Sequence, residues 1–252
     1  PIFKRQRQTD ASLIRIYFRY ICVQNRSMYT EYQPSHLLVP YIDSYWEFKG
    51  NPDYGMRIHI LPDGCTDFIF TLGEVANAVE EGSLIMQPYR SYFVGPMTKY
   101  SELVTYTESI HMFGVRFLPC GLSCFTNLPL HEFVNSRVST NEMKAVFDDT
   151  FIEKLGEQKH VTDRIRVVEE YLLAYLARHY QPADSHVAMA VNMINHSKGK
   201  RSVRSLMDDV CLCQRHFERK FKHYTGFTPK EYSRIVKFKN AVELLRTTTS
   251  AN

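Results

Sequence analysis

Arg215, Glu218, Arg219 and Lys222 fall at i, i+3, i+4 and i+7, so on a helix they share one polar face. Arginine can grip O6 and N7 of a guanine with two donors, and glutamate can accept from the amino group of cytosine. Such a face has the chemistry to read base edges in a major groove. Gln214, His216 and Lys222, toward its rims, are placed to meet phosphates. Phe217, Phe221 and Tyr224 lie roughly opposite, an apolar back by which the same helix could be held. The spacing predicts a helix from Gln214 to about Tyr224.

Flanking segments carry the signals needed to hold that helix. Val203, Leu206, Met207 and Val210 make a second apolar stripe at helical spacing. The turn Cys211-Leu212-Cys213 is too short to let the two helices lie side by side, which predicts a helix-turn-helix. Gly226 sits where the second helix should stop, at the left-handed position that glycine occupies at least cost. Thr228, Pro229 and Glu231 then form a capping box, with Phe227 and Tyr232 placed as a hydrophobic staple. Ile235, Phe238, Val242 and Leu245 continue the stripe, predicting a helix from Pro229 to Arg246.

This segment resembles the first of the two helix-turn-helix units of AraC/XylS-type bacterial transcription regulators. The residues that carry the resemblance are Leu206, Leu212-Cys213, Phe217-x-Arg219-x-Phe221 and Gly226-x-Thr228-Pro229-x-x-Tyr232. Lys237-Phe238-x-x-Ala241 matches the family's linker helix. The family implies base contacts at Arg215, Glu218 and Arg219, with double-stranded DNA as the partner. Met207 stands where the family commonly has Ala, and Cys213 where it has a Ser cap; a thiol caps a helix poorly. A second unit would be expected after the linker helix, whereas the sequence ends at Asn252. One unit alone should bind DNA near the non-specific range, about 10⁻⁴–10⁻⁶ M at physiological salt.

Charge is partitioned in the same sense. Residues 186–252 carry 13 Lys/Arg against 5 Asp/Glu, whereas residues 28–185 carry 12 against 21. A basic C-terminal module beside an acidic body fits a polyanion binder joined to a part that avoids polyanions. Residues 1–27 are basic, with 6 Lys/Arg against 1 acid, and read as a leader outside the fold. No apolar run reaches the roughly 18 residues of a membrane span, so no membrane partner is expected. Leu13–Val23, interrupted by Arg15 and Arg19, makes a poor signal peptide. The six cysteines lack a disulfide-framework pattern, which fits a reduced, cytoplasmic setting.

Residues 28–181 read as a β-rich domain with trailing helices, and 182–252 as the all-α reading unit; the fold class expected is α+β. Met56–Ile60 and Thr66–Leu72 flank the turn Leu61-Pro62-Asp63-Gly64. Tyr92–Val94, Glu102–Thr107 and Ile110–Phe117 follow, the last with His111, Phe113, Val115 and Phe117 alternating with Met112, Gly114 and Arg116. Short strands at such spacing predict a small sandwich or barrel. Ser139-Thr-Asn-Glu142 reads as a capping box opening a helix with Met143, Phe147 and Phe151 on one side. A longer helix is expected over Thr162–His179, and a linker over Gln181–Ser185. The β-rich part resembles an uncharacterised domain preceding the DNA-binding unit in some AraC-type regulators. That likeness rests on Pro40-Tyr41-x-x-x-Tyr45-Trp46, Leu61-Pro62-Asp63-Gly64, Phe93-Val94-Gly95-Pro96 and Gly114-Val115-x-Phe117-x-Pro119. It implies a ligand-sensing or dimerising role on a scaffold often of cupin type. An unidentified small-molecule effector and a homodimer would follow from that role.

Other chemistry is poorly represented. A cupin metal site needs a His-x-His pair with convergent Glu and His, but His59 and His111 are single histidines and His131-Glu132 has no third partner nearby. Cys120-x-x-x-Cys124 and Cys211-x-Cys213 are not zinc spacings. Asp63 and Asp67 read as turn formers, and no nucleophile elbow, phosphate loop or dinucleotide motif occurs. No catalytic residue, metal or cofactor is expected. Tyr41, Tyr45, Trp46, Asp63, Arg116 and Phe117 are the candidates for an effector pocket. The alternative reading is a cupin-like small-molecule-binding protein or enzyme with a basic helical tail.

Overall fold

The computed structural model describes residues 21–23, 28–143, 146–147, 149–179, 181–210 and 212–249. The strands are β1 Ile21–Val23, β2 Tyr29–Tyr32, β3 Ile42–Gly50, β4 Met56–Ile60, β5 Thr66–Thr71, β6 Asn77–Ala78, β7 Ser91–Val94, β8 Ser101–Thr105, β9 Ile110–Phe117 and β10 Arg137–Ser139. The helices are α1 Asp149–Gly156, α2 Val161–His179, α3 Ser185–His196, α4 Val203–Val210, α5 Gln214–Thr225 and α6 Pro229–Thr249. Two antiparallel sheets form, one in the order β1-β4-β8-β6 and one in the order β10-β7-β5-β9-β3-β2. The result is a mixed α+β architecture.

The six-stranded sheet is buried on both faces, and strand periodicity sorts its residues. One face presents Tyr45, Phe68, Phe70, Phe93, Phe113, Val115 and Phe117 to α1 and α2, whose Phe151, Leu155, Val168 and Leu172 complete that core. The other presents Trp46, Ile69, Tyr92 and Met112 to Met56, Ile58 and Leu103 of the smaller sheet. Arg164 of α2 ties the layers together: it donates to the carbonyls of Leu155 (3.2 Å) and Gln158 (2.6 Å), and to Glu47 Oε1 of β3 (3.1 Å). Ile21–Val23, within the segment read as a leader, pairs with β4; the described structure contains no other residue of 1–27.

One expected helix start is corrected. Ser139 makes no side-chain cap, Thr140–Glu142 is a single 3-10 turn, and α1 begins only at Asp149. Thr140 instead joins its hydroxyl to that of Ser91 on β7. Ser139 itself is the last residue of β10, paired with Tyr92, and Met143 returns to extended backbone after the single turn, so no helix follows for Ser139 to cap. Phe147 and Phe151 are buried as expected, though from a bend and from α1 respectively. Helix α3 has no counterpart among the sequence expectations; Asp184 caps it by accepting from the amides of His186 (3.1 Å) and Val187 (3.2 Å).

The C-terminal helices share a third core of Val187, Ile194, Leu206, Val210, Phe217, Phe221, Phe227 and Tyr232, which Cys120 of the β-rich part also joins. Gly226 ends α5 at φ +81. Thr228 and Glu231 cap one another, amide to carboxylate at 2.7 Å and amide to hydroxyl at 3.1 Å. Phe227 and Tyr232, both buried, stack 6.2 Å apart as the expected staple. The stripe of α6 differs from expectation: Ile235 is buried, but Phe238 and Leu245 are exposed and Val242 is half-buried. Tyr232, Ser233 and Val236 take the buried face with Ile235.

Candidate nucleic-acid interface and inter-sheet cavity

Helix α5 is bonded inward and charged outward. Phe217, Phe221 and Thr225 are buried against the neighbouring helices. Lys220 turns to the body and donates to Asp184 Oδ2 at 2.5 Å, so the α3 cap also anchors α5. Burial raises the Asp184 carboxyl, but the Lys220 bond and the Val187 amide outweigh it and hold the carboxyl below its usual range. Gln214, Arg215, Arg219 and Lys222 are exposed, while His216 and Glu218 are half-buried. Gln214 Nε2 donates to Glu218 Oε1 at 2.9 Å, which orients the one carboxylate of the face. Among the described residues no carboxylate lies within 4.0 Å of Arg215, Arg219 or Lys222. Cys213 precedes the helix without a side-chain cap bond, as a thiol should.

The second site lies between the sheets. A cavity of about 50 Å³ is lined by Tyr29, Trp46, Phe48, Asp63, Asp67 and Arg116, with Ile58, Ile69, Leu103, Met112 and Arg137 completing its walls. Trp46 lies across Gly114, where an added Cβ would stand 2.0 Å from the indole, so only glycine leaves the ring its place. Arg116 is 2% exposed and surrounded by carboxylates: Glu31 at 3.4 Å, Asp67 at 3.3 Å and Asp63 at 3.5 Å. The Trp46 indole N–H donates to Asp67 Oδ1 at 2.7 Å. Burial pushes the Asp67 carboxyl up to about 6, aided by Asp63 and opposed by Arg116 and the Trp46 bond. Burial disfavours the charge of Arg116, yet Asp67, Tyr29 and Asp63 keep its guanidinium firmly protonated.

Of the six pocket candidates, Trp46, Asp63 and Arg116 line this cavity, whereas Tyr41, Tyr45 and Phe117 do not. Those three belong to the helix-facing core: Tyr45 stacks on Phe113, Phe117 meets Phe68 and Phe125 edge-on, and Tyr41 packs on Phe125. The reason for this correction is parity, because residues 45 and 117 point opposite to 46 and 116 on their strands. Asp67, expected in a turn, lies within β5 and is the hub of the cavity network. Its signal was available: a carboxylate alternating with Phe68 and Phe70 shares its strand face with Ile69.

The histidines weighed as metal ligands are separately engaged. His59 stacks on Tyr100, His111 meets Glu47 at 2.9 Å, and His131 lies 6.4 Å from the His223 ring. Among the described residues no group of three or more His, Cys, Asp or Glu is placed to hold a metal. None of the described helices is long and apolar enough to cross a membrane.

Residues 30–139 match the family described as Domain of unknown function (DUF6597). No curated protein sequence matches the chain. Among solved structures, ToxT from Vibrio cholerae is similar at 7% identity with a TM-score of 0.45, covering 81% of this chain and 85% of that one.

Proposed function

We propose that this chain is a DNA-binding transcription regulator of the AraC type, in which α4 and α5 act as a helix-turn-helix and α5 reads the major groove. The observation that carries this reading is the outward face of α5, where Arg215, Arg219 and Lys222 are exposed without a carboxylate partner among the described residues while the opposite face is fixed in a core. Unneutralised cations on a rigid helix are available to phosphates and base edges. Arg215, Glu218 and Arg219 are assigned to bases, with Gln214, His216 and Lys222 at the phosphates. The cavity between the sheets is the proposed effector site, with Trp46, Asp63 and Arg116 from the original candidates and Asp67 added.

The test is a binding titration against duplexes from the chain's own upstream region at several salt concentrations. A steep fall in affinity with salt supports the reading even where binding is weak, and any preference for one duplex supports the base contacts; salt-independent or absent binding overturns it. A cupin-like binding protein or enzyme remains the second reading, favoured by the cavity between the sheets, whose largely apolar walls carry Asp63, Asp67 and Arg116. It would show ligand binding with no DNA binding at any salt.

A further inference from the structure

One turn serves both sites. Leu61–Cys65 joins β4 to β5, and its two sides face different parts of the molecule. On the cavity side, Asp63 Oδ1 accepts from the Cys65 amide at 2.8 Å and its other oxygen stands 3.5 Å from Arg116 Nε. On the far side, the Asp63 main-chain carbonyl accepts from Lys239 Nζ of α6 at 2.9 Å. Gly64, at φ +87, lies so close to Tyr232 of α6 that a Cβ would come within 2.8 Å of its ring. Tyr232 in turn packs on Phe221 of α5 and donates to Asn195 of α3 at 3.0 Å.

A continuous polar chain therefore runs from the cavity to the helices that hold α5: Trp46 to Asp67, Asp67 to Arg116, Arg116 to Asp63, and Asp63 to Lys239. Beside the turn an open crevice of about 440 Å³, bordered by Leu61, Pro62, Tyr100, Arg234, Ile235 and Phe238, leaves α6 room to shift. Three carboxylates share the buried guanidinium, so anything that enters the cavity and takes one of them must redistribute the others.

We propose that the Leu61–Cys65 turn is the coupling device of the molecule: a change at the Asp63–Arg116–Asp67 cluster moves the seat of Lys239 and Tyr232, and with it the α5–α6 unit. The proposal rests on the reading above only in calling that unit DNA-reading. Both directions of the coupling follow from linkage, so a change at α6 must be felt in the cavity.

Trp46 is the single tryptophan and donates into the cluster, which makes its emission a reporter of the cavity end. The full chain is compared with Lys239→Met and with Lys230→Met, an exposed lysine of the same helix. Lys239→Met should change the acrylamide quenching of Trp46, as expected if it shifts the conformational balance at the cluster by about twofold, the low end of the coupling changes such mutations make. Lys230→Met should leave quenching unchanged, and Lys239→Arg, which keeps a charged donor, should restore the original value. Gly64→Ala, which pushes on Tyr232 without removing a charge, serves if Lys239→Met does not fold, and should shift Trp46 in the same assay. Unchanged quenching in the folded Lys239→Met protein overturns the device. In a second arm, duplex DNA from the chain's own upstream region is added while a label on the DNA follows binding by anisotropy. DNA binding with a Trp46 response that Lys239→Met abolishes supports the device; binding with a silent Trp46 overturns it. Absence of DNA binding refutes the DNA-reading assignment, while the first arm still decides the coupling.

Discussion

Arg116 and Arg219 are the same residue type in opposite situations. Arg116 sits between two sheets with three carboxylates within 3.5 Å, whereas Arg219 stands exposed on α5 with no carboxylate within 4.0 Å among the described residues. A guanidinium inside the protein must be neutralised where it lies, since burying an unpaired charge costs far more than pairing returns. A guanidinium on the surface is already solvated and keeps its charge for an incoming polyanion. The difference teaches where to look for each consequence of mutation: stability and internal coupling at the first, affinity and base preference at the second.

The comparison breaks most sharply under Arg116→Met. One buried and two half-buried carboxylates then share no guanidinium, and the expected loss is about 3–5 kcal/mol of stability by denaturant unfolding. Arg219→Ala on the exposed face should change stability by no more than about 0.5 kcal/mol. A comparable loss in both variants would erase the distinction.

Next in size, Arg219→Ala should weaken binding to the proper duplex by roughly 1–3 kcal/mol and relax preference at one base position. If every sequence weakened equally in the titration, Arg219 would belong with Lys222 among the phosphate contacts.

Titration sharpens the buried side. The Asp67 carboxyl stands at about 6 in the fold against 3.8 as its ordinary value, so between those limits the native state holds a proton that the unfolded chain has released. Stability from this group is therefore greatest below about 4, declines as pH rises through that window, and is level above about 6. Asp67→Asn should remove the decline. Urea unfolding of both proteins between those pH values tests the sign, and a wild-type protein that gained stability relative to the variant as pH rose would refute it.

The smallest effect expected is on the exposed side. Cys213→Ser supplies the cap that α5 lacks, for a gain of about 0.5–1 kcal/mol without change at the cavity. Thermal unfolding tests this gain, and an unchanged or lowered midpoint would refute it.

The two regions also differed in how far they could be read from the sequence. The α5 face, the Gly226 stop, the Thr228–Glu231 box and the Phe227–Tyr232 staple all join residues a few positions apart, so their spacing carries their geometry. The box expected at Ser139–Glu142 failed because Ser139 is taken into β10 against Tyr92, 47 residues away in sequence, a partner that no local pattern reveals. Two of the pocket candidates, Tyr45 and Phe117, failed on strand parity. Tyr45 and Trp46 are neighbours in sequence, yet one faces α2 and the other the cavity.

By itself, the sequence determined α2 and α4 to α6, the Gly226 stop and the Thr228–Glu231 cap, the polar and apolar sides of α5, and the alternation within β9. These depend on contacts within a turn or on a two-residue repeat, both of which spacing specifies. Only the tertiary structure decided which face of the six-stranded sheet meets helices, that Asp67 joins Trp46 to Arg116, and that Lys239 reaches the Asp63 carbonyl 176 residues away. Such partners are brought together by the packing of whole layers, and the identity of either residue alone does not name the other.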